Sequence, residues 1–446
     1  MARIYPFRAF RYQVSKAGTA LENLVTQPYD KITPAMQEQY YQLGSHNLIR
    51  LEKGKPQPGD DGQNVYTRAA RWLEEEIRAG VLAPDPQPAV YPYFQEYTVP
   101  GTKERRVRKG FIALGRIEDY AAGIVHRHEQ TLSGPKVDRL ELLRHTRAHT
   151  GQLFMIYSDP AGTVDKLLDE AARRQAPQEV RDEYGAVHRL WVVTDAPTIS
   201  RIQELLADKK LIIADGHHRY ETALAYRDEC RTRSGRSDPE APHEKVMMTF
   251  VNMDGPGVTI LPTHRVVAGV PGFSFAAFRD KASAYFDWYG YPLSGQDKAA
   301  AGSRLVRDLA ELGTRRTSFG VAAAGEPALY LFLLKANADL AHLLAAVSPR
   351  QRSLDLVVLH RLLLERCLGL DEESVRKEKN LRYLRQAEEA LGLVGKGEAQ
   401  LALLVNPIRV EQVREVAFAG EVLPQKSTDF YPKLLSGITI YRLDEP

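Results

Sequence analysis

The chain has 446 residues, 43% of them hydrophobic and 26% charged, with a formal net charge of +3. That length exceeds one ordinary core, so two or three domains are expected. The near-neutral charge does not argue for a nucleic-acid or membrane surface, a local basic patch staying open, and no apolar run reaches the eighteen or so residues of a membrane span.

Taken in order, the aromatic residues of 3–14 predict an opening strand or extended segment, and Gln27-Pro28-Tyr29-Asp30 a loop. Thr33-Pro34 carries a cap and a first-turn proline and starts a helix. The Gly-, Pro- and Asp-rich stretch 53–64 reads as an exposed loop. Residues 66–79 form an amphipathic helix with Ala69, Trp72, Leu73 and Ile77 on one face. Strands over 90–98 and 107–115 pair about Pro100-Gly101. A helix over 138–149 buries Leu140, Leu143 and Ala148; strand 153–157, a charged surface helix 165–182, strand 188–193 and helix 198–206 follow.

Leu211 to Ala214 is then a short apolar run suited to a buried strand. It ends on Asp215-Gly216, a turn pair with Asp215 as a candidate N-cap, and Tyr220, Ala223, Leu224 and Arg227 recur at helical spacing beyond it. Strand, glycine and helix N-terminus leave unpaired backbone N–H groups at one point, which attracts phosphate. His217, His218 and Arg219 on the first turn would oppose the helix dipole unless an anion offset them. A solvated, merely basic first turn is the plainer alternative.

Residues 231–243 read as a charged loop, followed by strands 246–253 and 258–261. Composition shifts near Gly269-Val270-Pro271. Helices 275–286 and 303–312 and strands 318–323 and 328–334 make a smaller α+β unit. From 354 a helix packs Leu356, Leu359, Leu363 and Leu364 inward; strand 401–405, helix 410–419 and an end strand 438–441 close the chain. Strands alternating with helices imply a mixed α/β architecture, divided at 1–270, 271–350 and 351–446. Cys230 and Cys367 show no metal or disulfide spacing, and Met1 to Pro6 lacks the apolar core of a signal peptide, so the cytoplasm is the expected location.

Further polar blocks carry chemistry. At strand spacing His126, His128 and Gln130 share one side, as metal ligands or, when protonated, phosphate clamps, and Glu129 suits a base or a Mg²⁺ ligand. An exposed polar strand is the alternative. His264-Arg265, after Pro262-Thr263, are phosphate-suited or simply cap a strand. Lys426-Ser427-Thr428 offers an ammonium and two hydroxyls but lacks the glycines of a Walker loop.

Two resemblances rest on these residues. Gly216 to Ala223 resembles the Gly-x-x-Arg-x-x-x-Ala phosphate box of the ParB/sulfiredoxin superfamily, which includes free-serine kinases. Gln27 to Asp30, the His126-to-Arg139 block, the glycine-histidine box, Leu261 to Arg265 and Leu423 to Thr428 together resemble the uncharacterised domain-of-unknown-function family numbered ten-fifteen. The first resemblance implies a ParB/sulfiredoxin-like nucleotide-binding core with additional α/β subdomains, binding ATP or ADP with Mg²⁺. It implies phosphoryl transfer to a small hydroxyl metabolite such as free serine. Gly216, His217, His218, Arg219, His126, Arg139, His264, Arg265, Lys426, Ser427 and Thr428 would then hold nucleotide phosphates. Glu129 and Asp215 would hold metal or act as base with His128, and Asp30, Tyr29 and Lys433 would meet the substrate. The loop at Lys426 is expected to fold onto the site of 126–139 and 215–219. Two alternatives stay open: a nucleotide-gated ParB-like binding protein, and a phosphohydrolase with His126, His128 and His217 around a metal. The expected partners are nucleotide and small molecule, with neither membrane nor nucleic acid; a homodimer stays open.

Overall fold

The computed structural model describes residues 2–60, 64–129, 133–293 and 298–444. The chain folds as a mixed α/β protein whose contacts group into two units. The first comprises Met1–Arg127, Thr131–Thr259 and Pro432–Pro446; the second comprises His128–Gln130 and Ile260–Tyr431. This grouping does not coincide with divisions at 270 and 350, because the chain leaves the first unit at 259 and returns to it at 432.

The first unit is built on a nine-stranded sheet. From one edge it runs Val125–His126, Leu211–Asp215, Leu153–Tyr157, Lys245–Asn252, Arg105–Arg116, Tyr91–Thr98, Val187–Leu190 and Gln178–Arg181, with Ile4–Tyr5 pairing Arg105–Arg116. Leu211–Asp215 runs parallel to Val125–His126, and Lys245–Asn252 parallel to Leu153–Tyr157; the other neighbours are antiparallel. The strands at the centre are buried on both faces: one packs on helices in an apolar core, and the other, which carries Arg108 and Thr249, meets the returning C-terminal segment. Ile213, Met155 and Phe250 share one core with Tyr220 and Ala223 of the helix His217–Ser234. Ile213 is completely buried.

Local sequence accounts for most element ends. Thr33 caps the helix Pro34–Gln42, its hydroxyl accepting from the Met36 N–H. Asn64 caps Val65–Arg78 in a reciprocal box with Thr67. That helix buries Ala69, Trp72 and Leu73 as its spacing predicts; Glu76 is also buried, paired with His46 at 2.8 Å.

Two expected helices are shorter than the charge pattern suggests. The one expected over 165–182 is Thr163–Ala172, and Gln178–Arg181 is an edge strand. Pro177 explains the break, since it cannot continue the helical hydrogen-bond ladder and disfavours a helical Ala176. The helix expected over 275–286 stops at Ala282, and the aromatic run Phe286–Pro292 is a strand, as its side chains favour. The helix expected over 138–149 is Ser133–Thr146, with Ala148–His149 a separate short strand.

The second unit holds a six-stranded antiparallel sheet, in the order Phe286–Pro292, Ala328–Leu334, Ser318–Ala323, Leu401–Leu404, His264–Val267 and Leu381–Leu384. Alternation divides its faces. Leu331 and Leu333 pack with Leu305 and Leu309 of the helix Lys298–Gly313 and with Ala390 and Val394 of Ala387–Gly395. Phe332 points the other way and stacks on Phe278 of Phe275–Ala282 at 6.1 Å. The helix predicted from 354 is real but changes pitch, Asp355–Val358 passing into a π-helix at Leu359–Cys367.

Truncating the centre of the larger core tests this account. Ile213→Ala should destabilise the protein by about 2–5 kcal/mol, the cost of a buried cavity, read as a lowered urea midpoint.

Candidate functional site

The strand Leu211–Asp215 pairs with Leu153–Tyr157 in a register that slips between Ile213 and Asp215. Such a bulge re-aims the side chain at the strand end. Gly216 then turns the chain with φ +95° and serves as the helix N-cap, in a left-handed conformation that an L side chain resists. Asp215 is therefore not the cap expected from sequence. Its Oδ1 accepts the Gly216 N–H at 3.0 Å, and no side chain caps the helix.

Burial alone would raise the Asp215 carboxyl, but Lys433, Arg219, Lys31 and His217 together outweigh burial and hold it well below the usual carboxylate range. The Lys433 ammonium lies 3.4 Å from its Oδ2. Lys433 is brought there by the returning C-terminal segment. Gln95 donates to the Lys433 carbonyl at 2.8 Å, the buried Arg108 to the Pro432 carbonyl, and Gln152 to the Leu435 carbonyl at 3.0 Å.

Arg219, on the first turn, donates through Nη1 to the Gln152 carbonyl, while its buried Nε has no hydrogen-bond partner. One turn on, the buried Thr222 hydroxyl is also without a partner. Both residues line a cleft of about 40 Å³, with Tyr29, Glu52, Arg139, His149, Thr150 and Gly151. One water occupies about 10–15 Å³ on this measure, so the space suits a phosphoryl-sized group rather than a whole nucleotide. Arg139 lies over the Tyr29 ring at 4.3 Å and donates to the Glu52 carbonyl at 2.8 Å and to Asp138. Burial raises the Tyr29 phenol to about 12, and burial pushes the His149 imidazole down to about 4, so His149 is neutral near pH 7.

Glu52 is a residue that sequence reasoning missed. It is 2% exposed, yet Oε1 accepts from the Tyr29 N–H at 3.3 Å and the Ser436 hydroxyl at 3.2 Å, and Oε2 from the Thr150 hydroxyl at 2.5 Å. Its only trace in the sequence is an acidic residue closing the mainly apolar Leu48-Ile49-Arg50-Leu51. Of the other expected residues in this unit, His217 is buried, His218 half-buried and Asp30 exposed. His126 ends a two-residue strand and bonds the Gly123 carbonyl at 3.1 Å.

The second unit gathers a separate set of expected residues. The strand expected through Gln130 ends at His126, and Gln130 itself lies outside the described residues. His128 is fully buried, with Nε2 2.9 Å from the Thr428 hydroxyl, and Glu129 Oε1 accepts the Lys426 N–H at 3.2 Å. Lys426 has φ +56°, and its carbonyl accepts from the Thr263 hydroxyl at 2.6 Å and from Arg265 Nη2 at 3.3 Å. Ser427 is buried and donates to the Pro424 carbonyl. The Lys426 loop thus meets His128 and Glu129, as part of the expected fold-back requires. Burial lowers Arg265 to about 10 and His264 to about 4; the His264 Nδ1 accepts the Val405 N–H at 3.2 Å. His264 is therefore neutral near pH 7, with Nδ1 taken by a backbone amide. His360 and Tyr383, beside Arg265, were not expected. Among the described residues no group of three or more His, Cys, Asp or Glu side chains is placed to hold a metal, and no helix is long and apolar enough to cross a membrane.

The model of a family described as a protein of unknown function, DUF1015, matches residues 4–357. The chain belongs to the DUF1015 family. No protein of curated function matches it in sequence. Among solved structures, it is similar to a conserved hypothetical protein from Pyrococcus furiosus at 14% identity and a TM-score of 0.34, covering 72% of this chain and 93% of that one. It is also similar to a free serine kinase in complex with AMP, at 12% identity and a TM-score of 0.33 over 69% of this chain and 83% of that one. SbnI with a C-terminal truncation, from Staphylococcus aureus, aligns at 10% identity and 0.33 over 73% and 85%.

The ion pair at the strand end gives a direct test. In Lys433→Met the largest lowering influence on Asp215 is gone, so its carboxyl should titrate at higher pH in a carbon-13 NMR titration. A depressed folded-state value stabilises the protein above the unfolded value, about 3.9, and that stability is lost as the pH falls. The variant should therefore lose stability at neutral pH and show a shallower dependence in acid. An unshifted Asp215 resonance would remove Lys433 as its counter-ion.

Proposed function

We propose that the chain is a nucleotide-dependent phosphotransferase moving a phosphoryl group from ATP to a hydroxyl of a small metabolite such as free serine. The observation that carries this reading is the buried, unpartnered Nε of Arg219 and the buried, unpartnered Thr222 hydroxyl, on two residues of one helix that line the same cleft. A buried guanidinium N–H without an acceptor is costly, and a phosphate oxygen satisfies it with a charge-assisted bond. The helix start and the cluster of Lys433, Arg219 and Lys31 supply further positive potential. In the transfer the acceptor oxygen bonds to phosphorus, the bond from phosphorus to the ADP oxygen breaks with its electron pair going to ADP, and the hydroxyl proton passes to solvent water. Positioning and charge neutralisation supply the rate effect.

Asp215 does not fit the metal role expected of it. The cations that keep it ionised would repel a second cation, and Lys433 already occupies one of its oxygens. One oxygen of Glu129 is likewise taken by the Lys426 N–H.

Calorimetry with ADP and ATP tests the reading. Arg219→Ala should weaken binding by about 10- to 100-fold, the equivalent of one charge-assisted bond. Unchanged affinity in a folded variant would exclude the phosphate role. Tight nucleotide binding with no transfer to any hydroxyl acceptor would make the chain a nucleotide-gated binding protein instead.

A further inference from the structure

The cleft has two poles of opposite sign. At one stand Arg219 and Thr222, each with a buried donor atom lacking a partner. At the other stands the buried carboxylate of Glu52, whose donors among the described residues are all neutral: a backbone N–H and two hydroxyls. Among the described residues Glu52 forms no ion pair, although Arg139 and Arg219 line the same cleft. A carboxylate accepts about four hydrogen bonds, and three are made here, leaving capacity for one more. A buried carboxylate without a cation is costly where an available one would pair with it.

Gly151 keeps the space between the poles open. A β-carbon added there would sit 3.0 Å from Arg219 Nη1 and 3.8 Å from Glu52 Oε1, so one small group set between them touches both. The neutral His149 and the apolar Leu142, Leu143 and Leu153 complete the wall without adding charge.

We infer that the acceptor carries an ammonium group next to its hydroxyl, and that Glu52 selects it by binding that ammonium while Arg219 faces the phosphoryl group. The acceptor class is then the small 1,2-amino alcohols, hydroxy-amino acids included, and not neutral polyols. The inference rests on reading the cleft as the acceptor side of a phosphotransferase site, but its test needs neither nucleotide nor turnover.

The probes are O-phosphoethanolamine, which carries both charges, and ethyl phosphate, which differs by lacking the ammonium. Calorimetry on the full chain should show O-phosphoethanolamine binding at least about tenfold tighter, the effect of one charge-assisted pair. Glu52→Gln should reduce that preference to near unity while ethyl phosphate binds as before. Gly151→Ala, which fills the gap without altering a charge, should weaken O-phosphoethanolamine by about tenfold or more. If Glu52→Gln does not fold, the wild-type preference and the Gly151→Ala loss decide between them. Equal affinity for the two probes, no binding of either, or a preference that survives Glu52→Gln overturns the inference. ATP binding measured on the same protein separates the two readings. Nucleotide bound with no ammonium preference removes only the acceptor class, whereas an ammonium preference with no nucleotide bound removes only the phosphotransferase.

Discussion

The arrangement of the first unit depends on how charge is accommodated at the end of the strand Leu211–Asp215. An isolated carboxylate at that depth would be neutralised by burial. The Lys433 ammonium and its neighbours reverse that outcome. Lys433 can act only because Arg108, Gln95 and Gln152 grip the carbonyls of Pro432, Lys433 and Leu435. Residues at the far end of the chain are thus structural partners of its central strand. Breaking either side of such a pair leaves a buried charge uncompensated, which is far costlier than never having made it.

Glycines at two positions shape the surroundings of Arg219. Gly216 takes the left-handed turn that starts the helix, and a β-carbon there would press on Leu153 and on the Arg219 guanidinium. Gly151 holds back the opposite wall. Between them the cleft offers donors without acceptors and a carboxylate without a cation, a pairing of deficits that a bipolar ligand resolves. In the second unit, Glu129, Thr263 and Arg265 fasten one left-handed residue of the Lys426 loop. A loop so tied costs ordering entropy once, at folding, rather than at each binding event.

Much of the local structure was written in the chain itself. The strand-glycine-helix order at Leu211 to Arg219 was legible because a short apolar run, a turn glycine and helical spacing are each local signals. Ser318–Ala323 and Ala328–Leu334 have the bounds expected of them for the same reason. Tyr29, Arg139 and Arg219 could be singled out by residue type and motif. The early stops at Ala172 and Ala282 were less visible, since charge and apolar spacing continue past the points where a proline and an aromatic run change the backbone.

Tertiary structure alone decided which of these residues meet. Nothing local to Glu52 distinguishes it from a surface glutamate; only the packing of Tyr29, Thr150 and Ser436 around it makes it a buried acceptor. Asp215 reads locally as a helix cap, and becomes a counter-ion because a segment more than two hundred residues away supplies Lys433. His264 reads as a basic residue, and burial with a backbone amide on its Nδ1 makes it neutral. Sequence determines propensity, period and chemical type, which are properties of neighbours along the chain. Burial and long-range pairing set protonation and partnership, and these arise only when distant segments exclude water together.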